Sequence, residues 1–346
     1  MKKFIILLLL CCTVFTPVYA QELEAPLPPE DVQAIIPDTG GGFGTAVWEL
    51  ICGVASSLDP EMAQAVMTCI SAVAVSLMIC FFRGLPGESN VSGDLVSTVA
   101  IAAVLLNATG GLIAEAADTV QRLSDYGKLL LPVMTAALAS QGGVTSAAAI
   151  YSATAVFDAV LTALIAYVLV PMTYVFLAVS LANSAIGEET LAKIRDFMKW
   201  LIGWSLKTLL YIFTGYVTIT GVVSGVTDQA TMKATKLTIA GMVPVVGGIL
   251  SDASEALLVG AGLIRSTVGV AGLLAVIGLV AGPFLRIGIY YLMLKLTAAL
   301  ISMFSEKRTA TLVQDFSAGM GFLLAMTGTV CVMLLISTVC FMKGVI

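Results

Sequence analysis

The sequence contains no histidine, and charged residues make up only 11% of its 346 positions. Histidine is the commonest general base and metal ligand in proteins, so its absence disfavours hydrolase triads and zinc sites. Basic residues are also few: 17 Lys and Arg against 22 Asp and Glu give a formal net charge of −5. That balance argues against a nucleic-acid-binding surface. Because no phosphate-binding glycine motif is present either, we predict no cofactor, no metal, no catalytic residues and no ATP hydrolysis by this chain.

Most of the sequence is apolar. They make up 59% of the sequence and lie in long uninterrupted runs. A backbone in lipid must satisfy its N–H and C=O groups internally, which leaves only helices or a closed barrel. Barrel strands alternate apolar and polar residues, and these runs do not. We therefore predict an all-α, polytopic membrane helix bundle whose solvent is the lipid bilayer.

The first 20 residues have the pattern of a secretory signal peptide. Two lysines precede an apolar core from Phe4 to Val14, and a small-residue cleavage pattern ends at Ala20. Cleavage there would leave Gln21 as an extracytoplasmic N-terminus. Cys11 and Cys12 offer a lipoprotein signal as an alternative, which is disfavoured because leucine is a poor residue before a lipidated cysteine.

The rest of the chain divides into membrane units separated by polar stretches. Residues Phe43 to Val54 have helical spacing and predict a short helix that lies either on the membrane surface or on the bundle. The polar residues between Glu115 and Lys128 predict a connection after the second span. We favour about seven crossings within a range of five to nine. The predicted divisions are a signal peptide at 1–20, the acidic tail and amphipathic helix at 21–61, the first transmembrane helix and its loop at 62–94, a first membrane repeat at 95–199, a second membrane repeat at 200–316 and a final transmembrane helix at 317–346.

The spacing of four prolines indicates an internal tandem repeat. Pro132 and Pro244 stand in the similar sequences Leu-Pro-Val and Val-Pro-Val, 112 residues apart. A second proline follows each of them by 39 residues, at Pro171 and Pro283. Proline removes a backbone donor and clashes with the preceding turn, so we expect these four positions to break helices. Whether the two short Pro-Val pieces cross the membrane or re-enter it stays open.

Charged connections at 188–199 and 305–316 set the expected orientation. If each repeat crosses the membrane an even number of times, both connections lie on the same side. Their lysines and arginines make that side cytoplasmic by the positive-inside rule. Asp196 and Asp315, each followed by phenylalanine, occupy corresponding positions at the start of the next spans, at an offset of 119 residues.

Ionisable residues inside apolar runs are the functional candidates, since each costs on the order of 3 kcal/mol at the bilayer centre unless it is paired or hydrated. Asp158, Arg286 and Lys295 are of this kind. A pair between Asp158 and Arg286 is one hypothesis, because both lie near corresponding prolines. The structural alternative is that Asp158 faces a wet groove and Lys295 extends to the membrane surface. The sequence names no partner for Lys295.

A polar interruption near residue 252 allows two interpretations. Asp252 is followed three residues later by Glu255, which is the spacing of a capping box for a helix beginning near Ala253. The functional alternative is an acidic mouth that faces Arg265.

The second repeat carries a specific family resemblance. Residues 215–304 include Ala234-Thr235-Lys236, then MVPVVGGILSDASEA from Met242, then Gly269 and the apolar segment around Pro283. This stretch resembles stage III sporulation protein AE of endospore-forming bacteria. LLLPVMTAALASQGG from Leu129 fits as well, so the resemblance covers nearly the whole chain.

The resemblance implies a multi-pass protein of the outer forespore membrane, which derives from the mother cell. Its implied partners are the other proteins of the stage III sporulation A operon, including an ATPase and ring-forming subunits, and forespore protein Q. Such a complex is regarded as a channel that sustains late forespore gene expression. The family supplies no catalytic residues, so we expect a non-enzymatic subunit. The alternative is a secondary transporter or permease that uses its intramembrane charged residues and whose solute the sequence does not name.

Overall fold

The computed structural model describes residues 26–29, 33, 43–83, 90–141, 143–242, 247–303 and 307–343, with the backbone alone at 43, 57, 59, 79, 82–83, 90–97, 218, 220–242, 247–266, 307 and 343. The signal peptide, nearly all of the acidic tail and Pro244 lie outside these ranges. Within them the regular elements are helical. They are α1 (Phe43–Ser57), α2 (Asp59–Arg83), α3 (Asn90–Ala139), α4 (Val144–Leu164), a π-helical segment (Ile165–Leu169), α5 (Val170–Ile186), α6 (Glu189–Met242), α7 (Gly247–Ile301) and α8 (Lys307–Lys343).

Several of these helices are long and apolar enough to cross a membrane, which confirms the prediction of an all-α polytopic bundle. In the searched part of the chain they number five, within the predicted range. The preference for about seven crossings and the domain limits stay predictions. The five spans are Pro60–Met78, Thr98–Ala139, Val144–Ile186, Thr267–Ile301 and Arg308–Met342.

The polar residues between Glu115 and Lys128 do not form the predicted connection, because α3 continues through them as one helix of 50 residues. At 1.5 Å per residue, α3 is about 75 Å long. Its charged side chains pair with each other at helical spacing. Arg122 Nε lies 2.8 Å from Asp118 Oδ2, and Lys128 Nζ lies 2.8 Å from Asp125 Oδ1. Pairs three or four residues apart support a helix instead of ending it.

Three of the four prolines lie in the described ranges, and the expectation that they end helices is wrong at two of them. Helix α3 runs through Pro132 and α7 runs through Pro283. Prolines are tolerated in membrane helices because neighbouring helices and local adjustments satisfy the freed carbonyl groups. At Pro171 the adjustment is visible: the N–H of Val170 donates to the carbonyl of Ile165, five residues back, and the helix continues as α5.

The core of the bundle is formed mainly by α3, α7 and α8. Helix α8 packs against α7, α3, α4, α5 and α6. Its fully buried side chains include Phe316, Met320 and Leu323, which recur at helical spacing. Close approach of α7 to α3 depends on Gly272, where an added Cβ would lie 2.8 Å from a methyl group of Leu130. This is the glycine-mediated contact typical of membrane helices.

Helix α1 lies on the bundle, which decides between the two predicted positions. Its residues Leu50 and Val54 are buried in a cluster with Ala281 of α7. The opposite face carries the exposed side chain of Trp48. The predicted short amphipathic helix is therefore present and packs on the last repeat.

The two charged connections lie at one end of the bundle, as the repeat predicted. Gly187 ends α5 with a left-handed φ of 78°, and the guanidinium of Arg308 lies against it so closely that an added Cβ would be 2.6 Å from its Cζ. The hydroxyl of Ser184 also donates to the carbonyl of Arg308 at 3.4 Å. Glycine is thus favoured at 187 by its left-handed backbone conformation.

Candidate functional site

Asp158 lies in the interior of the bundle, on the face of α4 that contacts α3 and α8. Its exposed fraction is 3%. The hydroxyl of Ser124, on α3, donates to its Oδ2 at 2.6 Å, whereas its Oδ1 is buried and has no hydrogen-bond partner among the described residues. One turn earlier on α4, Thr154 forms a hydrogen bond with Ser337 of α8. These polar contacts tie α4 to both neighbouring helices.

The hypothesis that Asp158 pairs with Arg286 is wrong. Arg286, on α7, lies beside Glu115 of α3, with Nη1 to Oε2 at 3.4 Å. Ser124 is the residue of α3 that contacts Asp158. It lies nine residues after Glu115, a distance of about 13 Å along the axis of α3. The two charges therefore sit at different levels of the bundle, although they lie near corresponding prolines.

The Glu115–Arg286 pair is only partly buried. The side chains are 27% and 34% exposed, respectively. Glu61 of α2 lies within electrostatic range of Glu115, and one of its carboxylate oxygens is buried without a hydrogen-bond partner among the described residues. Two carboxylates and one guanidinium thus meet where α2, α3 and α7 come together.

Lys295 has an exposed side chain, and its neighbour is a tyrosine of its own helix. Its Nζ donates to the hydroxyl of Tyr291 at 3.3 Å and lies 5.4 Å from the centre of the ring. The two residues are four apart on α7, so the contact is local. This arrangement fits the interpretation that Lys295 extends toward the membrane surface.

Sequence reasoning missed a buried ion pair at the end of the bundle that carries the charged connections. Asp315 of α8 is 4% exposed, and the distance from Nη1 of Arg195, on α6, to Oδ2 of Asp315 is 3.2 Å. The same guanidinium donates to Asp196 Oδ1 from Nε at 3.0 Å and from Nη2 at 2.9 Å. Arg195 therefore bridges two aspartates at corresponding positions of the two repeats. The corresponding positions of Asp196 and Asp315 could have indicated this site from the sequence. From the sequence alone, we interpret Arg195 only as a positive charge that sets the orientation in the membrane.

The polar interruption near residue 252 does not start a helix. Helix α7 begins at Gly247, so Asp252 is an interior residue and its predicted role as an N-cap is wrong. The side chains of Asp252, Glu255 and Arg265 lie outside the described residues, so an acidic mouth stays a prediction.

Comparison with known proteins identifies the family. A family model described as stage III sporulation protein AE matches residues 61–344, which include every candidate residue named above. The stage III sporulation protein AE of Bacillus subtilis (strain 168) is 23% identical over 252 residues, and this match covers 72% of the chain and 63% of that relative. No solved structure matches. Because the family match extends over most of its length, the chain belongs to the stage III sporulation protein AE family.

Proposed function

We propose that this chain is a non-enzymatic integral membrane subunit of a channel or secretion-like complex that connects the mother cell with the forespore and sustains late forespore gene expression. The observation that carries the proposal is the family match over residues 61–344, which gives the chain a role in sporulation. That match includes the five apolar spans found in the described residues, apart from Pro60 at the start of the first span. The proposed site of action is therefore a membrane, and the proposed partners are the ATPase and ring-forming proteins of the same operon together with forespore protein Q.

The surface of α6 supports placement of one end of the bundle at a membrane surface. Phe197, Trp200 and Trp204 form an exposed row in which successive ring centres are 5.9 and 5.8 Å apart. Tryptophan is enriched at the boundary between lipid and water. The row begins beside Arg195 and Lys199, so the aromatic and basic residues lie at the same end. We propose that this end faces the mother-cell cytoplasm and that the mature N-terminus is extracytoplasmic.

Affinity capture from sporulating cells tests the proposal. The tagged chain, solubilised in mild detergent, is expected to recover the operon's ATPase and ring-forming subunits in constant ratios. An unrelated polytopic protein of the same membrane with the same tag controls for non-specific recovery. Recovery of the chain without these partners, under conditions that keep a known membrane complex intact, would contradict the proposal.

A second candidate function is a secondary transporter, and the observation that favours it is the buried carboxyl of Asp158 near the π-helical segment and Pro171. Interrupted helices and intramembrane acids are common in transporter sites. This function predicts gradient-driven solute uptake by the purified chain in liposomes. Uptake should be lost in Asp158→Asn and retained in Asp125→Asn, whose exposed carboxylate serves as the matched control. Absence of uptake across a panel of small solutes would leave the subunit role as the better account.

A further inference from the structure

We propose that Asp158 is a proton-binding site: its carboxyl group binds a proton and, in that neutral form, keeps the hydrogen bond between its Oδ2 and the hydroxyl of Ser124, between α4 and α3. The ligand is the proton itself, and the bound form of the site is a neutral carboxylic acid inside the bundle. The inference concerns the chemistry of this chain alone and does not depend on the complex proposed above.

The first observation is the shortage of hydrogen-bond donors around the carboxyl group. An ionised carboxylate has about four lone-pair positions that require donors. Asp158 is 3% exposed, and the described residues offer it one donor, the hydroxyl of Ser124 at 2.6 Å from Oδ2, while Oδ1 has none. A buried charge in such a site is far more costly than a neutral polar group. Protonation removes the charge.

The second observation is the absence of a compensating cation in the described surroundings. The charged groups in electrostatic range of Asp158 are Lys128 and Asp125, both on α3. Their side chains are mostly exposed and pair with each other at 2.8 Å. On α6 the nearby titratable group is the phenol of Tyr216, whose ring packs on Phe157.

From α8, the other helix packed on this part of α4, the recorded polar contact is the hydroxyl of Ser337 to Thr154. It brings no charge to the site. Arg286, the one guanidinium that the sequence suggested as a partner, is held by Glu115. A proton is therefore the ligand that neutralises Asp158 without any rearrangement of these helices.

The third observation is an internal comparison with Asp315. That carboxyl group is equally buried, at 4% exposed, yet it has Arg195 at 3.2 Å. Among the described residues, a cation thus contacts one buried aspartate and none contacts the other. Such a difference is expected if Arg195 compensates the charge of Asp315, whereas a bound proton neutralises Asp158.

An exposed polar patch of α3 lies next to the site along the chain. Ser124 precedes Asp125 on α3, and Gln121, Asp125 and Lys128 form an exposed polar patch joined by hydrogen bonds of 3.0 and 2.8 Å to the Asp125 carboxylate. At about 75 Å, α3 is more than twice as long as the roughly 30 Å hydrocarbon core, so its charged section can meet water or headgroups. The proton can exchange through the hydroxyl of Ser124 toward this patch.

Infrared difference spectroscopy of the purified full-length chain in liposomes tests the proposal. A protonated carboxyl group has a C=O stretching band that is separate from the carboxylate bands and shifts in deuterated water. At neutral pH we expect such a band in the unmodified chain. It should be lost in Asp158→Asn and retained in Asp125→Asn, the exposed control. If no carboxylic acid band disappears with Asp158→Asn at neutral pH, the proposal is overturned.

Two further measurements keep the test decisive. Should Asp158→Asn fail to fold, Ser124→Ala takes its place: the band must shift in frequency because its hydrogen-bond partner is gone, and an unchanged band overturns the assignment. The spectra are also recorded at fixed pH with sodium or potassium as the cation. A band that persists in both salts supports the proton as ligand, whereas loss of the band on addition of sodium overturns it in favour of a metal cation.

Discussion

Asp158 and Asp315 are two aspartates with nearly the same burial and opposite surroundings. Asp158 lies in the first repeat and has one neutral neighbour, Ser124, at 2.6 Å. Asp315 ends the second repeat and has a guanidinium, that of Arg195, at 3.2 Å. Burial alone therefore does not define the chemistry of an acid in this bundle, because the partner decides which protonation state is stable. Substitutions at these residues and their partners test this difference.

The largest expected effect is that of Asp315→Asn. Removing one member of a buried ion pair costs about 3–5 kcal/mol, because the other charge stays buried without compensation. Arg195 is 14% exposed and keeps its contact with Asp196, so we expect a loss near the lower limit, about 3 kcal/mol. Unfolding of the purified protein by denaturant in mixed micelles measures it.

Asp196→Asn is the matched control for that substitution, since it removes the other carboxylate of the same arginine. The side chain of Asp196 is 65% exposed. An exposed ion pair contributes about 0–1 kcal/mol, so the control should lose less than about 1 kcal/mol. Equal losses in the two variants would show that Arg195 does not distinguish a buried partner from an exposed one.

A loss of intermediate size is expected for Ser124→Ala. This change removes the one hydrogen bond that the described residues give to the Asp158 carboxyl group. An unsatisfied buried polar group costs about 1–3 kcal/mol, and we expect about 2 kcal/mol in the same unfolding measurement. Thr135→Ala is the control and should be nearly neutral, because among the described residues the Thr135 hydroxyl donates to a carbonyl of its own helix at 2.6 Å. A neutral Ser124→Ala would mean that water replaces the serine.

The pair between Glu115 and Arg286 is partly exposed, unlike the two buried aspartates. We expect its removal to lower the free energy of unfolding by less than Ser124→Ala does. The two side chains are 27% and 34% exposed, so solvent screens the pair. We expect Glu115→Gln to lower the free energy of unfolding by about 1 kcal/mol, with a smaller loss at high salt. A loss as large as that of Asp315→Asn would show that this junction is drier than its exposure suggests.

The helical membrane class and the buried acid Asp158 could be predicted from the sequence. The partners of the buried acids could not, because they depend on how each helix is rotated about its axis. Asp158 was identifiable because it is a lone acid in an apolar run. Its partner Ser124 was not, since pairing across 34 residues depends on which faces α3 and α4 turn toward each other. Arg195 and Asp315 were overlooked because their neighbours are exposed charges, and composition does not separate a buried residue from a solvated one. The predicted helix breaks at Pro132 and Pro283 were wrong for a related reason. Whether a proline ends a membrane helix depends on neighbouring helices that satisfy the freed backbone carbonyl groups.

The smallest expected effect, and the sharpest test of the comparison, is that of Asp158→Asn. Asparagine has the shape of a protonated aspartate, and its amide oxygen can accept the hydrogen bond from the Ser124 hydroxyl that Oδ2 of Asp158 accepts. We expect a loss below about 1 kcal/mol, smaller than that of Ser124→Ala, because no charge has to be compensated and the buried contact is kept. If Asp158→Asn costs as much as Asp315→Asn in the same unfolding experiment, Asp158 is ionised in the folded protein. It would then have a charged partner beyond the described residues, and the contrast between the two aspartates would fail.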